Sequence, residues 1–165
     1  MPNLKIIHAT ILRVIALGAT VAAVVVMVTS HESATVLNMK FTAKYSNTEA
    51  FMYFVVANAV GAGYSLIVLC LSLCKNPYWR IILVLDLVMA VLLASSMSAA
   101  LTIAQVGKKG NSHAGWLPIC GQVPRFCDHV GGAIISGIIG SSFYLLIVLH
   151  AVYNVLGSAL FSFKP

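Results

Sequence analysis

Apolar positions gather in four long runs, about 8–29, 51–73, 81–106 and 130–156, separated by stretches where charges, Pro and Gly return. Each run supplies the roughly 20 residues that an α-helix needs to cross about 30 Å of hydrocarbon. Runs rich in Val, Ile and Leu also suit buried strands, but strands of this length are rare and no turn residues interrupt the runs at strand spacing. The pattern predicts an all-α integral membrane protein, a bundle of four transmembrane helices forming a single domain over 1–165. Lys5 ahead of the first run resembles the start of a secretory signal. That run, however, exceeds the 7–15 apolar residues of a signal core and contains Arg13, which favours a retained helix.

Four spans return both termini to one side. The loops at about 30–50 and 107–129 then share the opposite face, and the connection at about 74–80 is a tight turn beside the termini. Basic residues do not orient the bundle: Lys5, Lys75, Arg80 and Lys164 lie on the terminal side, and Lys40, Lys44, Lys108, Lys109 and Arg125 on the other. The cysteines are more informative. Cys120 and Cys127, spaced Cys-x6-Cys in the second long loop, read as a disulfide in an oxidising compartment, which places the loops outside and both termini in the cytosol. A zinc site would need four ligands at closer spacing, and only His113 and His129 are near. Trp116 and Phe126 beside and within this ring are expected to stand out as a rigid outer knob. Two readings of them stay open: a surface that recognises neighbours, or part of the interfacial aromatic belt. Cys70 and Cys74, at the end of the second run, are either small packing residues or juxtamembrane sites for palmitoylation.

Composition sharpens the class. Residues of the AVILMFWYC group make up 60% and charged residues 8%, so there is too little charge to cover a water-facing surface. The mean hydropathy of +0.96 agrees. A net charge of +6 could suggest nucleic acid, but the ten cations are scattered rather than gathered into a basic stripe, and nucleic acid is excluded. The sequence holds no nucleophile with a base, no His-Glu-x-x-His, no phosphate-cradling Gly loop and no paired carboxylates. The expectation is a non-enzymatic chain without metal or cofactor.

Two charges sit inside the spans. Arg13 lies five residues past His8 and Asp86 five residues past Ile81, each counted from the terminal side. At 1.5 Å per residue both fall about 7–8 Å below the same membrane face, where they can pair across the first and third helices. Two parallel hydrogen bonds would neutralise both charges and fix the helix register. Snorkelling of Arg13 to headgroups is the bland alternative. A proton or ion path through Asp86 is the functional rival, and it makes a small transporter or channel subunit the second hypothesis. Few other polar groups lie at successive depths: Asn58, Tyr64 and Ser65 in the second span, His150, Tyr153 and Asn154 in the fourth. His150, about 10 Å from the terminal end of its helix and near the depth of the charge pair, reads as a hydrogen-bonded packing residue and not a proton carrier. Small residues recur at every fourth position as Ala57, Gly61, Ser65; as Ala90, Ala94, Ser98, Thr102; and as Gly132, Ser136, Gly140. Such seams let helices approach closely, and three of them leave one for contacts outside the bundle.

Leu12-Arg13, the segment 50–58 (Ala-Phe-Met-Tyr-Phe-Val-Val-Ala-Asn), Asp86-Leu87, and Gly110-Asn111-Ser112 through Trp116, Cys120 and Phe126-Cys127 together resemble the plant Casparian strip membrane domain protein-like (CASP-like) family. The resemblance covers nearly the whole chain, and the family is related to the MARVEL four-helix proteins. It places the family's intramembrane Arg and Asp on Arg13 and Asp86. It implies a multi-pass plasma-membrane protein with cytosolic termini that forms homo-oligomers and hetero-oligomers with related four-helix proteins, within a platform that gathers cell-wall-modifying enzymes. The first loop, 31–49, lacks the stretch that marks strip-forming members, and Thr42-Ala43-Lys44-Tyr45-Ser46 resembles the broader CASP-like set. Claudins would carry cysteines in the first loop, and tetraspanins a larger second loop with Cys-Cys-Gly. Neither pattern is present.

Overall fold

The computed structural model describes residues 2–36, 39–72 and 79–162. In chain order it contains α1 (Pro2–Thr29), β1 (His31–Val36), β2 (Met39–Lys44), a 3-10 turn (Tyr45–Asn47), α2 (Glu49–Ser72), α3 (Trp79–Lys109), a second 3-10 turn (Ser112–Ala114) and α4 (Pro124–Ser162). The segments Ile7–Thr29, Glu49–Ser72, Arg80–Lys109 and Pro124–Val155 are long and apolar enough to cross a membrane. Their outward faces are apolar too: Val14, Val56, Val91, Ile135 and Leu149 are all more than half exposed. In water such a surface would drive aggregation, whereas in lipid it is the solvated face.

Each helix packs against two others. α1 lies against α2 and α4, and α3 against the same two, which puts α1 and α3 on one diagonal of the bundle and α2 and α4 on the other. Two apolar layers fill the centre. Met27, Phe51, Phe54, Met97, Val130 and Ile134 belong to the layer nearer the long loops. Ala16, Ala57, Leu93, Tyr144 and Ile147 belong to the layer nearer the termini. Dispersion from close approach holds helices together in lipid, so small residues matter where backbones meet. At Gly137 a Cβ atom would stand 2.7 Å from the Phe54 ring and 2.8 Å from Met97 Sδ, so glycine is what lets α4 slide under both side chains.

The segment expected to be a plain loop at 30–50 contains a hairpin. β1 and β2 pair antiparallel from His31 opposite Lys44 to Val36 opposite Met39. Ala34, Phe41 and Ala43 pack onto the loop-end core, while His31, Ser33, Thr35, Lys40, Thr42 and Lys44 are exposed. This two-period alternation gives the hairpin one buried and one wet face. α4 also begins at Pro124, ahead of the expected residue 130, because proline needs no hydrogen-bond acceptor at a helix start. Phe126 and Cys127 therefore belong to the first turn of α4 and not to a loop. The tight connection expected at 74–80 lies mostly outside the described residues, and α3 begins at Trp79.

Candidate functional site

A polar layer crosses the apolar bundle near its terminal end. Arg13 of α1 donates from Nη2 to Asp86 Oδ2 at 2.6 Å, along the α1–α3 diagonal. The side chains are only 8% and 2% exposed, so this ion pair is withdrawn from both water and lipid. It makes one hydrogen bond and not the two-bond fork that a guanidinium and a carboxylate can form. Arg13 Nη1 and Asp86 Oδ1 have no hydrogen-bond partner among the described residues. The Tyr64 ring of α2 covers the guanidinium with its centroid 5.7 Å from Cζ, a cation–π contact that matters most where water is excluded. The Tyr64 hydroxyl in turn donates to the Ile82 carbonyl of α3 at 3.1 Å.

The second diagonal is tied at a neighbouring level. Tyr144 of α4 is fully buried, and its hydroxyl donates to the Gly61 carbonyl of α2 and shares a 2.6 Å bond with Ser65 Oγ. Gly61 and Ser65 lie one turn apart on the same buried face of α2, so one hydroxyl reaches both. Tyr144 carries no signal in the sequence, because an aromatic residue in an apolar run gives no sign of whether its hydroxyl has a partner. Asn58 is buried as well and donates from Nδ2 to its own helix at the Phe54 carbonyl. The Arg13–Asp86 pair and the Tyr144 hydroxyl thus tie the two diagonals of the bundle at neighbouring levels.

His150 packs as expected but through ring stacking. Its ring stacks on His8 of α1 with centroids 6.1 Å apart, and its Nε2 is buried without a hydrogen bond among the described residues. No group of three or more His, Cys, Asp or Glu is placed to hold a metal among the described residues.

At the other end the loops are fastened to the helices. Cys120 and Cys127 form a disulfide with Cα atoms 5.7 Å apart, joining the second loop to the first turn of α4. Glu32 of β1 reaches across to accept the Phe126 backbone N–H at 3.0 Å, so a carboxylate from the hairpin caps the positive end of α4. Ser30, also buried, donates to the Phe126 carbonyl at 3.5 Å. The expectation of two exposed aromatics needs correction. Phe126 is 5% exposed and packs edge-on against Phe51 inside the loop-end core, whereas Trp116 is 58% exposed. Phe126 turns inward because its first-turn position in α4 faces α2, which the hydropathy pattern of a presumed loop could not indicate. Cys70 is an exposed free thiol near the end of α2, and Cys74 lies outside the described residues.

The seams divide between inside and outside. Ala57, Gly61 and Ser65 are buried, whereas Ala94, Ser98 and Thr102 of α3 face outward, as does Gly132 of α4.

The paired intramembrane Arg and Asp, in helices one and three of a four-helix chain with a cysteine pair before helix four, agree with a sequence match to the Casparian strip membrane protein domain over residues 4–143. The chain belongs to that family. It is 54% identical to CASP-like protein 1C1 of Vitis vinifera over 156 residues, covering 94% of this chain and 98% of the relative. It is also 54% identical to CASP-like protein 1C3 of Populus trichocarpa over 165 residues, the full length of both. CASP-like protein 1C1 of Arabidopsis thaliana matches at 52% over 151 residues, 92% of each chain. No solved structure gives a significant match. The CASP-like resemblance read from the residues is thus a family membership, shared with flowering-plant membrane proteins across nearly the whole length.

Proposed function

We propose that this CASP-like chain is a non-enzymatic scaffold of the plasma membrane, a single four-helix unit that associates with copies of itself and with related proteins. In this reading it holds a lateral membrane domain to which cell-wall-modifying proteins attach. Both termini face the cytosol, and the hairpin and the disulfide face outside, where an oxidising compartment suits the Cys120–Cys127 bond. Trp116 is then the exposed aromatic offered to neighbours, and Cys70 a site for S-acylation at the cytosolic leaflet.

The observation that carries the scaffold reading is the direct Arg13–Asp86 bond under the Tyr64 ring. A carboxylate engaged by a guanidinium across the bundle diagonal ties two helices together, whereas a transporting carboxylate must exchange partners with its cargo. The outward seam of Ala94, Ser98 and Thr102 adds support, since it offers a close-approach face to another helix.

Fluorescence recovery of a tagged copy in living plant cells tests the proposal. A scaffold gives slow, incomplete recovery in patches and co-purifies with related four-helix proteins. Proton or ion flux in proteoliposomes that disappears in Asp86→Asn overturns it in favour of a transporter or channel subunit.

A further inference from the structure

The end of α3 and the chain that leaves it border an open groove of about 440 Å³. Thr102, Gln105, Val106 and Lys109 line it along one face of the helix, at the i, i+3, i+4, i+7 spacing, and Asn111 and Ser112 close its top. Gly110 makes the turn that borders it. It adopts φ +69°, its N–H bonds back to the Val106 carbonyl at 2.7 Å, and a Cβ there would stand 2.6 Å from the Trp116 carbonyl oxygen. Only glycine turns the chain this tightly, and the turn folds Asn111 and Ser112 beside the helix.

The chemistry of the groove is that of an anion site. Lys109 supplies an ammonium, Gln105 an amide, and Ser112 a hydroxyl, and no acidic residue lines the groove. Asn111 Oδ1 is already engaged, accepting from the His113 and Ala114 N–H groups, which leaves its Nδ2 hydrogens to donate. A helix C-terminus normally repels anions through its free carbonyls. Here two of those carbonyls are used: Val106 O by the Gly110 N–H, and Gly107 O by the Ile119 and Cys120 N–H groups.

Depth narrows the ligand. Thr102 lies about 24 Å and Lys109 about 34 Å further along the helix than Asp86, from the rise per residue. With Asp86 about 7–8 Å inside the terminal-side boundary of a hydrocarbon layer about 30 Å thick, the groove begins at the far boundary and ends among the headgroups. Leu117 and Ile119, exposed on the returning loop, give that level an apolar flank. We propose that this groove binds the phosphate-bearing headgroup of a lipid in the leaflet on the hairpin side, with the Lys109 ammonium meeting the phosphate and Gln105, Asn111 and Ser112 holding the headgroup polar atoms. The proposal rests on the four-span placement and is independent of self-association.

Native mass spectrometry of the full-length chain, titrated separately with phosphatidylglycerol, phosphatidylcholine and glycerol 3-phosphate, tests it. The expected result is one tightly retained phosphatidylglycerol, weaker phosphatidylcholine and no retained glycerol 3-phosphate. Lys109→Gln should weaken phosphatidylglycerol binding about ten-fold, the size of one charge-assisted hydrogen bond, and Ser112→Ala less. Lys108→Gln, an exposed neighbour outside the groove, should bind as the native chain does. Both lysines are exposed at the helix end, so neither change threatens the fold. Equal losses in Lys108→Gln and Lys109→Gln would reduce the site to diffuse charge and overturn the proposal. So would the absence of a retained lipid, or binding of glycerol 3-phosphate as tight as that of the lipid.

Discussion

Among single residues, Asp86 has the most to lose by substitution. Asp86→Ala leaves the Arg13 guanidinium buried at 7% exposure beneath the Tyr64 ring without its carboxylate, and removing one partner of a buried pair costs about 3–5 kcal/mol. Thermal unfolding of the detergent-solubilised variant should show a matching loss and cell-surface yield should fall, while the exchange Arg13→Asp with Asp86→Arg recovers part of both. Wild-type stability in Asp86→Ala would remove the pair from any structural role. This pair was legible without a structure because two charges equally far from the same helix ends share a depth. Its single-bond geometry and its aromatic cover were not, since they depend on which way α2 turns Tyr64. Tyr144 marks the opposite limit. Tyr144→Phe deletes two hydrogen bonds across the other diagonal and is expected to cost about 1 kcal/mol, the range measured for interhelical hydrogen bonds in membranes, with the helices still inserted.

For whole elements, the informative joints lie where the hairpin and the second loop meet α4. Glu32→Ala removes the carboxylate that caps the Phe126 N–H and should destabilise the start of α4 by about 1 kcal/mol. Hydrogen exchange would then rise in β1 and in the first turn of α4, and not in the middle of the spans. Opening the ring with Cys120→Ser and Cys127→Ser releases an eight-residue loop, worth about 2.5 kcal/mol in the chain-entropy model, with helix insertion preserved. If Trp116 contacts neighbours, that double variant also loses lateral clustering, whereas a belt role for Trp116 leaves clustering unchanged. The hairpin had a sequence signal in the alternation of Ala34, Phe41 and Ala43 with hydroxyl and charged residues. Next to four runs of 20 or more apolar residues, six-residue strands are simply short.

At the scale of the whole molecule, the apolar surface has no partner within the bundle and belongs to lipid or to another helix. The Ala94, Ser98, Thr102 face of α3 is where a second bundle can approach most closely. Bulky replacements there, Ala94→Leu with Ser98→Leu, should leave thermal stability nearly unchanged, because both residues are exposed and the Ser98 hydroxyl bonds within α3. Fluorescence recovery should nevertheless become faster if this face mediates assembly. An unchanged recovery would move the contact to another face, with Gly132 of α4 the next candidate.

The sequence by itself determined that there are four spans, that the termini share a side, that Arg13 and Asp86 share a depth, and that Cys120 and Cys127 are near neighbours. Each of these follows from length, order and helical rise, which are one-dimensional quantities. The tertiary structure decided which helices are diagonal and which adjacent, and hence that the charge pair and the Tyr144 hydroxyl brace opposite diagonals. It also decided that Phe126 is core while Trp116 is surface, and that one small-residue seam is internal while another faces out. These outcomes depend on the rotation of each helix about its own axis. In lipid that rotation is set by close packing against neighbours and not by hydropathy, because lipid and core are equally apolar.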